Sequence, residues 1–209
     1  MTTNYLTSKE VFEHIKPFFE EHGNKMMSIG EALKEKYTGP GCGLSTGFLQ
    51  DEIYREYVKE YSNLILGCSD NSCLEADFIL ILPLSSKKGL FSMKKTFGGD
   101  LALAWQKNPN GDKREFWKCP IVIFNHAIPG KTKRALNFGI KKGIYVIDHI
   151  WCRSNIKLSK NNKTDNLIKR RDVIKMLKNA KTNNTFWEFD ETKKVKMEIN
   201  LLDAIKFLD

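Results

Sequence analysis

The sequence predicts an α/β fold built on a parallel sheet. Three observations carry this expectation: apolar runs of strand length at 76–82, 100–105, 119–124 and 143–148, helical patterns between them, and an N-terminal third that reads as helix. Near-continuous apolar strands are those buried on both faces, and only helices on both sides of a sheet supply that cover.

The elements come in this order. Thr7-Ser8-Lys9-Glu10 has the pattern of a capping box, and Val11, Phe12, Ile15, Phe18 and Phe19 recur at helical spacing, so residues 7–37 are expected to be helical, with Pro17 as the place for a break. Gly39-Pro40-Gly41-Cys42-Gly43 stops the pattern. A second helix is expected over Phe48–Leu66, with Ile53, Tyr57, Tyr61 and Leu64 on one side. Gly67–Cys73 is a loop that closes an acidic helical region, residues 1–74.

From there the pattern alternates. Ala76–Leu82 reads as a strand and Ser85–Phe97 as a helix, with serines at its start and Gly98-Gly99 as its C-cap. Asp100–Trp105 and Cys119–Phe124 are strands separated by an exposed loop at 106–118. Gly130–Lys142 reads as a helix, and Gly143–Asp148 as a strand that leads into a further helix from His149. Beyond residue 156 lies a basic extension of mixed type: an amphipathic helix within Asn166–Lys178, short strands at Thr185–Phe189 and Val195–Ile199, and a last helix at Leu201–Leu208.

A hydrophobic fraction of 41% with 13 Phe, 6 Tyr and 4 Trp argues for a folded globule and against a disordered chain. No run has the ~18 apolar residues of a membrane span, and Met1-Thr2-Thr3-Asn4 lacks the features of a secretory signal. An intracellular protein without a membrane partner is expected. The five cysteines, Cys42, Cys68, Cys73, Cys119 and Cys152, are scattered without a CxxC pair, which predicts a reducing compartment and no metal site.

Charge is distributed unevenly. Residues 1–77 hold 7 Lys/Arg against 13 Asp/Glu, a net of −6, whereas residues 78–209 hold 27 against 12, a net of +15. The second part is therefore the one expected to meet an acidic partner, nucleic acid or a phosphorylated protein. Its densest stretch, 153–181, has ten Lys/Arg against Asp165 and Asp172, and Lys169, Arg170, Arg171, Lys175 and Lys178 are its candidate nucleic-acid contacts.

Gly130-Lys131-Thr132 is half of a nucleotide-binding P-loop. The first glycine would fall at Asn125, and Pro129 removes an amide from the loop, so an NTPase is not expected. A helix start crowded by Lys131, Thr132, Lys133 and Arg134 still favours phosphate, because unpaired N–H groups and the positive end of the helix dipole meet there.

The competing class is a metal-dependent nuclease. The common mixed-sheet type wants an Asp and then Glu-x-Lys on adjoining strands. Glu52, Glu75, Asp77 and Asp100 supply acids, but the residue two before Lys107 is Trp105, which holds no metal. His126 and His149 have no nucleophile assigned to them by spacing, although Ser154, Cys119 and Cys152 remain in the chain. The expectation is a binding protein without catalytic residues or cofactors.

The order strand 76–82, helix ending in Gly98-Gly99, strands 100–105 and 120–124, Thr132-Lys133-Arg134-Ala135-Leu136, then Lys142-Gly143-Ile144-Tyr145-Val146-Ile147 and Trp151 resembles a BRCT domain over roughly residues 75–158. The resemblance implies a four-stranded parallel sheet flanked by three helices, with Trp151 in the core. It implies a phosphate pocket formed by Ser85 or Ser86 with Thr132 and Lys133 or Arg134. It also implies a role in DNA repair, replication or chromatin maintenance through a phosphorylated protein or DNA, and hence a nucleus, with a cytoplasmic viral origin left open. Residues 1–74 and the extension 159–209 fall outside it, and a homo-oligomer stays open.

Overall fold

The computed structural model describes residues 5–37, 54, 56–63, 65–67, 78–82, 85–96, 101–103, 119–126, 139–161 and 165–196. Their architecture is α/β, with a six-stranded mixed sheet between two helical layers. Helix α1 runs from Ser8 to Tyr37. Its N-terminus is the capping box of the sequence: the Glu10 carboxylate accepts from the Thr7 N–H at 2.7 Å while the Glu10 N–H donates to the Thr7 hydroxyl at 3.2 Å. Pro17 lies inside the helix and does not end it.

The strands are β1 (Ile65–Gly67), β2 (Phe78–Leu80), β3 (Gly89–Thr96), β4 (Leu101–Leu103), β5 (Ile121–Asn125), β6 (Gly143–Ile147), β7 (Leu158–Asn161), β8 (Asp165–Ile168) and β9 (Phe186–Glu188). The large sheet has the order β1-β2-β3-β5-β6-β9, and β4-β8-β7 form a separate three-stranded sheet. In the large sheet only β3 and β5 are parallel; the other neighbours are antiparallel.

Strands β5 and β6 explain the layering. Every residue of both is buried. Val122, Phe124, Ile144 and Val146 face a core shared with Val11, Phe12, Ile15, Phe19, Met26 and Met27 of α1. Ile121, Ile123, Tyr145 and Ile147 face a second core, shared with Cys152 of helix α2 (His149–Asn155) and with Val173, Met176 and Leu177 of helix α3 (Arg170–Thr182). Period-two alternation thus divides one apolar run between two cores. Each large side chain buried there contributes about 1.5–3 kcal/mol.

Several expectations are corrected. The sheet is mixed, where four parallel strands were expected. The predicted helix at 85–97 is a turn at Ser85–Lys87 followed by strand β3. The physical reason is a period of two: Phe91 and Met93 are buried in the α1 core, Ser92 and Lys94 alternate with them, and Thr96 is β-branched. Of the second helix expected over 48–66, Tyr54 and residues 56–61 are helical, 48–53, 55 and 64 lie outside the described residues, and Ile65–Gly67 pairs with β2 as an edge strand instead. Strand β4 leaves the large sheet for β8. Asn166–Ile168, read as the first turn of the basic helix, belong to strand β8, and the helix starts only at Arg170. Val195, read as a strand start, is irregular and exposed. Trp151 packs against the second core while remaining partly exposed.

The segments 1–74, 75–158 and 159–209 all contribute to one core, since residues of α1, β1, β2, β3, β5, β6 and Phe189 share it. Close approach fixes the glycine at position 30. A Cβ at Gly30 would collide with the Tyr54 hydroxyl and the His126 ring, which hydrogen-bond each other at 2.7 Å beneath α1.

Candidate nucleic-acid interface

Helix α3 forms because its apolar positions recur at helical spacing. Val173, Met176, Leu177 and Ala180 are buried against the sheet. The opposite side carries Arg171, Lys175 and Lys178, all exposed, at intervals of four and three residues that place them on one stripe. Arg171 and Lys175 have 77% and 56% of their side chains in solvent. Lys169, at the N-cap, is exposed, and Arg170 is half-buried.

One acid of the helix opposes them. Asp172 is buried at 2% exposure and accepts from the Lys175 ammonium at 2.7 Å, with the Arg171 Nε at 3.6 Å. Two arginines in the first helical turn stand at the positive end of the dipole, an unfavourable place for cations, and the Asp172 carboxylate offsets part of that cost. The helix carries five cations, Arg170, Arg171, Lys175, Lys178 and Lys181, against a single acid.

Its far end is fixed by polar contacts. Lys181 donates to the Gly139 carbonyl at 2.7 Å, and Gly139 has φ +58°, a left-handed conformation that glycine adopts without strain. The Thr185 hydroxyl is buried and donates to the Val146 carbonyl at 2.7 Å, tying the helix exit to β6. The stripe therefore rides on a helix fastened at its base and along its buried face.

Helix α2 lies on the same side of the sheet. Asp148 caps it by accepting from the Ile150 and Trp151 N–H groups at 2.8 and 3.1 Å, and Arg153 and Lys157 extend the exposed positive charge. His149 is buried, which pushes its imidazole down to about 4 and keeps it neutral at pH 7, and its Nδ1 has no partner among the described residues. Burial pushes the Cys152 thiol well above its ordinary range, so no reactive thiolate forms there.

The other predicted site residues are only partly placed. Ser85 and Ser86 are exposed in the turn before β3, where the Ser85 hydroxyl accepts from the Lys87 N–H at 3.1 Å and Lys87 pairs with Glu10 at 2.8 Å. Lys131, Thr132, Lys133 and Arg134 lie outside the described residues, as do Glu52, Glu75, Asp77, Asp100, Lys107, Cys42, Cys68 and Cys73. Among the described residues no cluster of three His, Cys, Asp or Glu could hold a metal. No described helix is long and apolar enough to cross a membrane.

Two residues that sequence reasoning passed over now share a strand. Ser92 and Lys94 lie on β3, which pairs with β2 through Phe78 and Phe91. The period-two signal at 91–96 would have found them, had the serines at 85 and 86 not resembled a helix cap. No family model, no curated protein and no solved structure matches this chain, so a functional reading rests on the chemistry of its own surface.

Proposed function

We propose that the protein binds nucleic acid by gripping its phosphate backbone with the exposed face of α3. The observation that carries this reading is the stripe Arg171, Lys175, Lys178 with Lys169 at its end, opposed within the helix by one buried carboxylate. Seven residues of helix rise about 10 Å, the axial distance covered by about three phosphates of one DNA strand. Cations on a rigid helix lose less freedom on binding than cations on a loop, so the stripe is pre-organised for a polyanion. Contacts of this kind position a duplex and carry no base sequence by themselves.

The test is fluorescence anisotropy with duplex DNA at about 50 and 200 mM salt, comparing wild type with R171A/K175A/K178A. The variant is expected to bind more weakly and to lose up to about 2.7 from the slope of log affinity against log salt, 0.9 for each of three phosphates. Equal affinity and equal slope in the two proteins would overturn the reading. The narrower form, a module of repair, replication or chromatin maintenance that recognises a phosphate, rests on residues 131–134, since the sheet is mixed. Its test adds 5′-phosphorylated DNA and a phosphoserine peptide with K131A/K133A/R134A; probes bound alike with and without phosphate would count against it.

A second reading, metal-dependent phosphodiester cleavage, is favoured by the pairing of β2 with β3. The Asp of such a nuclease precedes a strand whose neighbour carries x-Lys; here Asp77 directly precedes β2 in the chain, and β3 carries Lys94. Ser92 stands where a second carboxylate would be, so another acid would have to complete a metal site. Incubation of DNA with the protein and Mg²⁺ or Mn²⁺ decides: cleavage that K94A abolishes while binding persists supports an enzyme, and intact DNA under every condition leaves binding alone.

A further inference from the structure

Residues 190–195 after β9 lie along α1, and among the described residues their attachments to it are polar. The Asp190 N–H donates to the Asn24 side-chain carbonyl at 3.1 Å, and the Val195 N–H donates to the Ser28 hydroxyl at 3.1 Å. The Lys194 ammonium meets Glu31 at 2.8 Å. Lys142, from the start of β6, joins Glu31 and Glu191 at 2.7 Å each. Asn24, Ser28 and Glu31 are spaced by four and three residues, so one stripe of α1 receives the whole segment.

No buried apolar side chain takes part. Residues 191–196 are all exposed, Val195 at 45%, whereas Phe189 just before them is buried in the α1 core with the Lys142 ammonium 5.9 Å from its ring. Phe189 is thus an anchor, and the segment beyond it is held by ions and hydrogen bonds. Lifting the segment would uncover a carboxylate, an amide and a hydroxyl, which water solvates, and would expose little apolar area. The closed state covers Ser28 and Glu31, both buried, and is favoured by the net value of these polar contacts; the half-buried Lys142 and the Lys194 ammonium keep the ionic part within partial reach of salt.

We propose that residues 190–196 form an ionic latch on α1, hinged after Phe189, which opens with rising ionic strength while the sheet and both cores stay closed. Glu31 is its keystone, because one carboxylate receives both Lys194 of the latch and Lys142 of the sheet. The Asp190 side chain, which accepts from the Thr192 N–H at 3.0 Å, gives the segment its own local turn, so it leaves and returns as a unit.

Hydrogen–deuterium exchange of the full chain tests this, in low salt and in about 1 M NaCl, with E31Q run in low salt beside wild type. Exchange in 190–196 is expected to accelerate about tenfold, the change that loss of one or two modest polar contacts gives, in high salt and in E31Q, while β5, β6 and α3 exchange as before. Unchanged exchange at 190–196 in both conditions would overturn the latch. So would acceleration shared equally by β6, because the segment would then open only with the whole fold. The wild-type salt comparison stands even where E31Q folds poorly.

Discussion

Glu10 closes the capping box of α1 and also pairs with Lys87 ahead of β3, so one carboxylate joins helix start and sheet. The Lys87 hydrogen bond, followed by those from Thr7, lowers its pKa from 4.5 to about 2. A depressed carboxylate stabilises the fold above its unfolded pKa and loses that contribution as pH falls toward its folded value. His149 acts in the neighbouring window. Burial lowers it from 6.5 to about 4, so between those values the unfolded chain takes up a proton that the folded chain refuses, and stability falls with pH. Acid melting of the wild type is therefore expected to show loss first between pH 6.5 and 4 and then between 4.5 and 2. E10Q should flatten only the lower window, by a screened amount given that the Glu10 side chain is 40% exposed, and equal slopes in both proteins there would refute the assignment. Thr7→Ala, which removes the cap hydroxyl, should cost about 1 kcal/mol in denaturant unfolding. Tyr54→Phe leaves the buried His126 ring without its hydroxyl partner and should cost about 1–3 kcal/mol.

Helix α3 separates stability from binding. Met176 and Leu177 are fully buried under it, so either truncated to Ala should cost about 2–5 kcal/mol. R171A, K175A and K178A lie on the solvent side and should change stability by less than about 0.5 kcal/mol, while together weakening DNA binding. Urea melts and anisotropy on the same variants check both halves. This helix was readable in the sequence because an amphipathic pattern of Val173, Leu177 and lysines has one interpretation. Strands β5 and β6 were readable because continuous apolar runs of five or six residues bounded by Pro, Gly and Asp are too short for a buried helix. Strand β3 was not, because Ser85-Ser86 ahead of spaced apolar residues and Gly98-Gly99 after them imitate helix caps, and tertiary pairing with β2 and β5 decided the matter. Strand direction was hidden as well: the chain between β5 and β6 is long enough to return on either course, and no residue names which.

The whole molecule is polar in the electrical sense. The α1 layer, residues 8–32, holds Lys9, Lys16 and Lys25 against Glu10, Glu13, Glu20, Glu21 and Glu31, a net of −2, while 148–157 and 168–182 on the other face hold eight Lys/Arg against Asp148 and Asp172, a net of +6. A polyanion should approach by the α3 face alone, with association that slows steeply as salt rises; stopped-flow rates that ignore salt would contradict this. The candidate interface was legible at this scale from charge counts, whereas the placement of α1 against the same sheet was not, since no local pattern tells a helix which strands will cover it.

Helix α1 has a further consequence for synthesis of the chain. Its apolar face is completed by β5 and β6, which the ribosome delivers roughly a hundred residues later, and by Phe189 later still. At ordinary elongation rates of about 5–20 residues per second, that face waits roughly 5–20 seconds or more without its sheet. The nascent N-terminal helix is thus a client for whatever shields apolar surfaces at the tunnel exit, and slowing translation before residue 147 should lower the soluble yield without changing a single contact in the finished fold.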